Sequence, residues 1–314
     1  MGDSVDTIPV IDFSAYRLGL DKPDRNSQAF QKLIQKIYHA LTTIGFFFVV
    51  NSDFPQEKVE DMWKVSKNFF QLPIDVKNKY PRKDDENHGY VRLERENLNP
   101  DRHGGDLKEL FNYHPMTENN VWPTETECPD FKTTMKDFWN PCFDLLQRIL
   151  EVMGYGLKFK DPLLFVKHHC KALENSGTTL RTLYYPALVD VTPKEDQIRC
   201  GEHSDYGSIT LLFQEKPGLE VRTRHGDYIQ VPMVEGGILV NLGDLMQRWT
   251  ADTYIAAKHR VLLSPPENKA DSRQSIAFFG HPDYDALIEC TDGSNKYPAI
   301  NSLDYINMRF GVTY

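Results

Sequence analysis

The chain has few of the features that mark a secreted, membrane-bound or nucleic-acid-binding protein. Its five cysteines, Cys128, Cys142, Cys170, Cys200 and Cys290, are odd in number and scattered, with no Cys-x-x-Cys pair. That argues against a disulfide framework and a cysteine-built zinc site, and for a reducing compartment. Long apolar runs are missing too: the longest, around Gly45–Val50, is far too short to cross a bilayer. The opening MGDSVDTIPV lacks the basic-then-apolar pattern of a signal peptide, and Asp6 stands where a myristoylation signal after Gly2 needs Ser or Thr. Positive charge is in short supply, with 36 Lys+Arg against 45 Asp+Glu, a formal net charge of -9 and a pI near 5.6. A broad nucleic-acid or anionic-membrane surface is therefore not expected, although a small basic pocket is allowed. The expectation is a cytoplasmic monomer with a small-molecule partner, no nucleic acid and no membrane.

What is present is core material. Of the 314 residues, 40% are hydrophobic and 12% aromatic, and no internal repeat or low-complexity segment interrupts them. Ile8–Phe13 reads as an opening strand. Apolar residues at Phe30, Leu33, Ile34, Ile37 and Leu41 have helical spacing, which predicts a helix over 28–44 stopped by Gly45 and followed by a buried strand, Phe46–Val50. Further helices are predicted over 56–70 and 129–157, the latter kinked or broken at Pro141. Residues 81–105 read as a polar, mobile loop and Leu107–His114 as a strand. After about residue 178 short β-type runs alternate with turns: Leu180–Tyr185, Ser208–Phe213, Leu219–Val221, Tyr228–Val231, Ile238–Asn241, His259–Leu263 and Ser275–Phe279. Many short strands imply a sandwich or barrel supported by a helical N-terminal half.

One spacing suggests a metal. His203 and Asp205 form a His-x-Asp pair, and residues i and i+2 of an extended chain share a face. A second histidine, His259, begins a later β-type run. Two imidazoles and one carboxylate make the facial triad of non-haem Fe(II) oxygenases. A lone His-x-Asp is weak evidence; the rival pair His168-His169 is read as solvated, since adjacent side chains diverge. Arg273-Gln274-Ser275 repeats the i, i+2 geometry with a guanidinium and a hydroxyl, a good carboxylate clamp. Next to Ile276-Ala277-Phe278-Phe279, Arg273 needs an anion. On spacing alone an internal Asp or Glu serves as well as a ligand.

The ordered set of matches then makes the chain recognisable: Ile8-Pro9-Val10-Ile11-Asp12-Phe13, Gly45-Phe46-Phe47-Phe48-Val49-Val50-Asn51, Phe69-Phe70-Gln71-Leu72-Pro73, Gly89-Tyr90, Asp106-Leu107-Lys108-Glu109, His203-Ser204-Asp205-Tyr206-Gly207, Val240-Asn241-Leu242-Gly243-Asp244, His259-Arg260-Val261, Arg273-Gln274-Ser275, and the closing Thr313-Tyr314. It resembles the isopenicillin N synthase-like family of 2-oxoglutarate- and Fe(II)-dependent dioxygenases over nearly its whole length. The resemblance implies a mainly β fold with α, a double-stranded β-helix (jelly-roll) core with supporting N-terminal helices. It implies an N-terminal region over 7–125, the jelly-roll core over 176–282 and a C-terminal segment over 283–314 in one compact unit. It assigns His203, Asp205 and His259 to iron, Arg273 and Ser275 to the distal carboxylate of 2-oxoglutarate, and Tyr185 to a hydrogen bond with that co-substrate. Decarboxylation of 2-oxoglutarate to succinate and CO2, with O2, would drive C–H hydroxylation, demethylation or desaturation. Leu183 departs from the pattern, since many plant members carry Asn there. Many of those members also carry a further C-terminal helix, so here the pocket is expected to be either more open or closed by a partner or by the 81–105 loop.

Substrate contacts are expected from His88, Tyr90, Arg92, Asn112, Phe213, Met246 and Phe279, with His114 and Tyr184 nearby. Arg92 lies in a charge run, Arg92-Leu93-Glu94-Arg95-Glu96, of the kind that is usually a solvated face. Two other readings stay open at this stage: an Fe(II) oxidase that does without 2-oxoglutarate, and a non-enzymatic ligand-binding relative.

Overall fold

In chain order the elements are β1 (Val10–Asp12), α1 (Gln28–Thr43), β2 (Phe46–Val50), α2 (Gln56–Phe70), α3 (Ile74–Lys77), β3 (Gly89–Val91), β4 (Glu109–Tyr113), α4 (Phe131–Gly156) and α5 (Leu164–Lys167), then β5 (Thr179–Tyr185), β6 (Cys200–His203), β7 (Ile209–Gln214), β8 (Leu219–Arg222), β9 (Tyr228–Gln230), β10 (Ile238–Leu242), α6 (Asp244–Trp249), β11 (His259–Val261), β12 (Arg273–Gly280), β13 (Leu287–Ile288), β14 (Ile300–Asn301) and α7 (Ser302–Thr313). The coordinates are a computed structural model describing residues 7–83, 86–98, 104–116, 121–189 and 191–313. Gly2, Asp6, Tyr314 and part of the 81–105 stretch lie outside these residues.

Local signals explain the helices. The Ser27 side chain accepts a hydrogen bond from the Phe30 N–H at 3.1 Å, capping α1. Gly45, at φ +76°, ends it, and its N–H returns to the Ala40 carbonyl at 2.9 Å. Of the kink or break expected at Pro141, the break does not occur: α4 is continuous over 26 residues. Proline forfeits one backbone bond, and the burial of Phe138, Trp139, Cys142, Leu145 and Leu146 around it outweighs that loss. Within the expected 81–105 loop, Gly89–Val91 is a strand paired with β4.

The large sheet has eight strands in the order β1-β2-β10-β7-β12-β5-β4-β3, and a smaller one has the order β6-β11-β8-β9. From β5 to β12 the chain passes back and forth between the two sheets, with β8 and β9 a hairpin within the smaller one, the winding of a double-stranded β-helix. Period-two alternation divides the side chains of the large sheet. Phe47, Val49, Leu211, Phe213, Val240, Ile276 and Phe278 join the apolar cluster under α1, α2 and α4, whereas Phe46, Phe48, Leu183, Tyr185, Leu239 and Ala277 join the one between the sheets. The same parity sends Arg273 and Ser275 into the inter-sheet space, and they line the cavity there.

Candidate active site

The antiparallel pairing of β6 with β11 sets His203 opposite His259. The carboxylate of Asp205, just past the end of β6, completes a cluster whose ligand atoms lie within 4.8 Å of one another. Asp205 Oδ1 is 3.8 Å from His203 Nε2 and 3.7 Å from His259 Nε2. His203 Nδ1 lies 2.8 Å from the Gly201 carbonyl, and His259 Nδ1 3.2 Å from that of Ala257. A carbonyl only accepts, so the proton sits on each Nδ1 and each Nε2 offers a lone pair to the shared space. Burial, then the neighbouring His203, lowers the His259 pKa to about 4, which keeps the ring neutral. Burial pulls the Asp205 pKa up, but His259, His203 and hydrogen bonds from Thr210 and Asn241 outweigh it, so the carboxyl stays below its usual value. Both bonds, each 2.6 Å, go to Oδ2. Oδ1 is left for a cation.

The donor set, two imidazoles and a carboxylate, suits Fe(II) with open positions. Among the described residues no other group of histidine, cysteine and carboxylate side chains has such spacing. The expected solvated pair His168-His169 is corrected: His169 is buried, with ring nitrogens 2.7 Å from the Phe165 carbonyl and 2.6 Å from Ser208 Oγ.

From the triad a cavity runs between the sheets along β5 and β12. Their register pairs Arg273 with Tyr185, Ser275 with Leu183, Ala277 with Arg181 and Phe279 with Thr179. Arg273 is only 1% exposed. Its Nε donates to the carbonyls of Lys216 and Pro217 at 3.0 and 3.1 Å, and Nη2 to Gln214 Oε1 at 3.4 Å. Nη1 is buried without a hydrogen-bond partner. Among the described residues no carboxylate pairs with Arg273. The internal-carboxylate reading therefore fails, and the cavity holding the triad also holds a guanidinium with a donor to spare. Ser275, Tyr185 and Leu183 line the same cavity, Leu183 supplying apolar wall where many plant members carry Asn.

At the opposite end the cavity opens between Asn87, Leu98, Thr179, Arg181, Phe279, His281 and Ile306 of α7. Arg181 stacks over the Phe279 ring at 5.2 Å; its Nε donates to Asn112 Oδ1 at 2.8 Å and its Nη1 reaches Glu96 at 3.3 Å. Of the expected substrate contacts, Phe279 is on this wall, and Asn112 stands directly behind Arg181. The structure does not bring the others there. His88 packs on Phe111, Tyr113 and Trp122. Tyr90 packs on Phe69, and Phe213 on Phe54 and Phe138. Met246 is in the core, Tyr184 stacks on Phe70, His114 is buried against the Ser176 carbonyl, and Arg92 is exposed. Glu96, read as part of a solvated run, is 3% exposed and ion-pairs with Lys108 at 2.8 Å.

A jelly-roll presenting two histidines and an aspartate at one end of its inter-sheet cavity is the scaffold of a non-haem iron oxygenase. Comparison with known proteins makes the class specific. A family model described as the 2OG-Fe(II) oxygenase superfamily matches residues 176–282, and one described as the N-terminal region of non-haem dioxygenases in morphine synthesis matches residues 8–127. The proline hydroxylase buaE of Petromyces alliaceus is 31% identical over 305 residues, covering 90% of this chain and 94% of the relative. The homoarginine-6-hydroxylase 2-ODD-C23.1 of Arabidopsis thaliana is 28% identical over 320 residues, covering 95% and 92%. The solved structure of Neurospora crassa T7H with alpha-KG superposes with a TM-score of 0.84 at 30% identity, covering 98% of this chain and 96% of that one. A second T7H complex holds alpha-KG and thymine. The chain belongs to the 2-oxoglutarate- and Fe(II)-dependent oxygenase superfamily, and its cofactors are Fe(II), 2-oxoglutarate and O2. No described helix is long and apolar enough to cross a membrane.

Proposed function

We propose that His203, Asp205 and His259 hold the iron, that Arg273 and Ser275, with Tyr185, hold the distal carboxylate of 2-oxoglutarate, and that the enzyme hydroxylates a C–H bond of a small polar molecule. The observation that carries the assignment is the buried Arg273, without a carboxylate partner, in the cavity that holds the triad. With both groups bound, oxidative decarboxylation of 2-oxoglutarate to succinate and CO2 supplies the oxidising power. The chain's own side chains do the rest. Asp205 stays ionised, each histidine turns Nε2 toward the shared space, and Leu183, Leu212, Leu219 and Val261 exclude water. At the mouth Asn87, Thr179 and Arg181 offer donors and acceptors beside the flat face of Phe279, which suits a small molecule bearing both. The T7H complex with thymine supports a ligand of that size. A cytoplasmic monomer acting on neither nucleic acid nor membrane remains part of this reading, supported by the acidic charge balance.

The test is anaerobic. Fe(II) and then 2-oxoglutarate are added to the protein and the visible spectrum recorded, since chelation by the keto acid gives a weak charge-transfer band. The expected band is absent in His203→Ala and weak in Arg273→Ala; iron that binds without any band on adding 2-oxoglutarate overturns the assignment.

A further inference from the structure

Arg273 has an unexpected neighbour. Arg199 lies on the chain entering β6 and is 3% exposed. Its Nη2 donates to the Pro186 carbonyl at 3.3 Å and to the Asp271 carbonyl at 3.0 Å, so it ties the end of β5, which carries Tyr185, to the start of β12, which carries Arg273. Its guanidinium carbon is 5.9 Å from the centre of the Tyr185 ring, and that of Arg273 is 5.0 Å from the same ring. Two buried cations thus flank one phenol. Among the described residues neither has a carboxylate ion-pair partner, and Arg199 Nε, like Arg273 Nη1, is buried without a hydrogen bond. Two carboxylates act on the pair through space without an ion-pair contact, Asp271 on Arg199 and Glu215 on Arg273; Asp271 lies 3.7 Å from Lys216 and Glu215 accepts the Gln274 N–H at 3.0 Å. Burial, and then repulsion from Arg273, depresses the Arg199 pKa, so the two charges feel each other. Like charges buried without an ion-pair partner are costly unless an anion joins them.

We infer that Arg199 is a positioning residue for the co-substrate: it fixes the Tyr185 ring and adds a second positive charge that favours a 2-oxo acid with an anionic tail over one with a neutral tail. This rests on the assignment of Arg273 to 2-oxoglutarate. Arg199 does not touch the reacting atoms; it acts through Tyr185 and through its field.

The experiment titrates the anaerobic Fe(II) protein with 2-oxoglutarate and with 2-oxopentanoate, which has the same carbon chain but a methyl in place of the distal carboxylate, reading Kd from the charge-transfer band. R199Q is expected to weaken 2-oxoglutarate about tenfold and to leave 2-oxopentanoate within about twofold. R199K, which keeps the charge, should keep the discrimination between the two acids within about threefold of the unsubstituted protein. Equal loss of both acids in R199Q, which marks a packing role, overturns the inference, as does an unchanged 2-oxoglutarate Kd. Should R199Q not fold, R199K decides, because collapse of discrimination with the charge retained also overturns it. Failure of the unsubstituted protein to prefer 2-oxoglutarate overturns the Arg273 assignment instead.

Discussion

His203 and His259 face each other across the antiparallel pair β6–β11, with ring centroids 4.3 Å apart, and each Nδ1 sits at the carbonyl of the residue two places before it. The repeated local geometry fixes both tautomers with backbone groups alone. Among the described residues the Asp205 carboxylate is instead held by side chains from two other strands.

That dependence yields the first prediction. Thr210 on β7 and Asn241 on β10 both bond Oδ2, turning Oδ1 toward the histidines. Asn241→Ala leaves the carboxylate free to rotate and should weaken Fe(II) binding about 10- to 100-fold, as expected when a partner of a metal ligand is removed. Thr210→Val should do the same to a smaller extent. Competition with a chelator under anaerobic conditions measures it; unchanged affinity in both variants would show that Asp205 needs neither partner.

Gly243 tests the same carboxylate through the backbone. The turn after β10 lies so close to the Asp205 loop that a Cβ on Gly243 would stand 2.8 Å from the Gly207 carbonyl carbon and 2.9 Å from the Asp205 oxygen. The Asp244 N–H also donates to the Asp205 carbonyl at 2.7 Å. Backbone cannot move aside as a side chain does, so Gly243→Ala should cost about 1–3 kcal/mol of stability and displace Asp205. Thermal unfolding and iron titration should both fall; loss of stability with intact iron affinity would separate the turn from the site.

These contacts explain why the cluster of His203, Asp205 and His259 was legible in sequence. His203, Asp205, Asn241 and Gly243 sit in runs whose residue types are each required by geometry. The lining of one cavity by both Arg273 and Ser275, which we propose holds the co-substrate, was legible for a similar reason, because the two share parity on a strand. Parity also explains what was missed. Asn87, not His88, reaches the mouth, and Phe213 faces the helices while Leu212 faces the cavity; a one-residue shift flips every side chain. Thr179 and Arg181 have the parity of Tyr185 and could have been found by counting back along β5. Glu96 could not, because nothing in a charge run reveals that one member is buried against a lysine from β4's approach. The helix over 302–313 was also missed, its apolar periodicity being weak.

Buried histidines should make the iron-free protein acid-sensitive. Burial first, and for His281 also its histidine neighbours, puts the pKa of His88 at about 3, of His169 at about 4 and of His281 at about 3. In the unfolded chain each titrates near about 6.5. Below that pH the unfolded state takes up protons that the folded state refuses, so stability is full above about 6.5 and is lost as pH falls toward 4 and 3. His88→Phe keeps the aromatic packing against Phe111 and Trp122 and removes one proton from the balance. Its loss of stability between about pH 7 and 4.5 should be smaller than that of the unsubstituted protein by about 2 kcal/mol. Denaturant unfolding at the two pH values decides; an equal loss in both proteins would mean that His88 is protonated in the fold.

Arg273 should separate stability from binding. A buried guanidinium with one unsatisfied nitrogen contributes little to the ligand-free fold, since an apolar residue of similar volume avoids the desolvation it suffers. Arg273→Met should therefore leave the unfolding free energy of the apo-protein within about 1 kcal/mol. The same change removes the one charged group of the three, Arg273, Ser275 and Tyr185, that we assign to the distal carboxylate of 2-oxoglutarate, and should weaken that ligand at least about thirtyfold. A ligand that binds only the folded state raises Tm, so Fe(II) should stabilise both proteins through His203, Asp205 and His259, whereas 2-oxoglutarate added to the Fe(II) protein should give a further shift that is large in the unsubstituted protein and much smaller in the variant. Thermal unfolding of both proteins with and without the two ligands reads both effects at once. If the variant is strongly destabilised yet still gains the full ligand-induced shift, then Arg273 belongs to the architecture of β12 and the co-substrate carboxylate is held elsewhere.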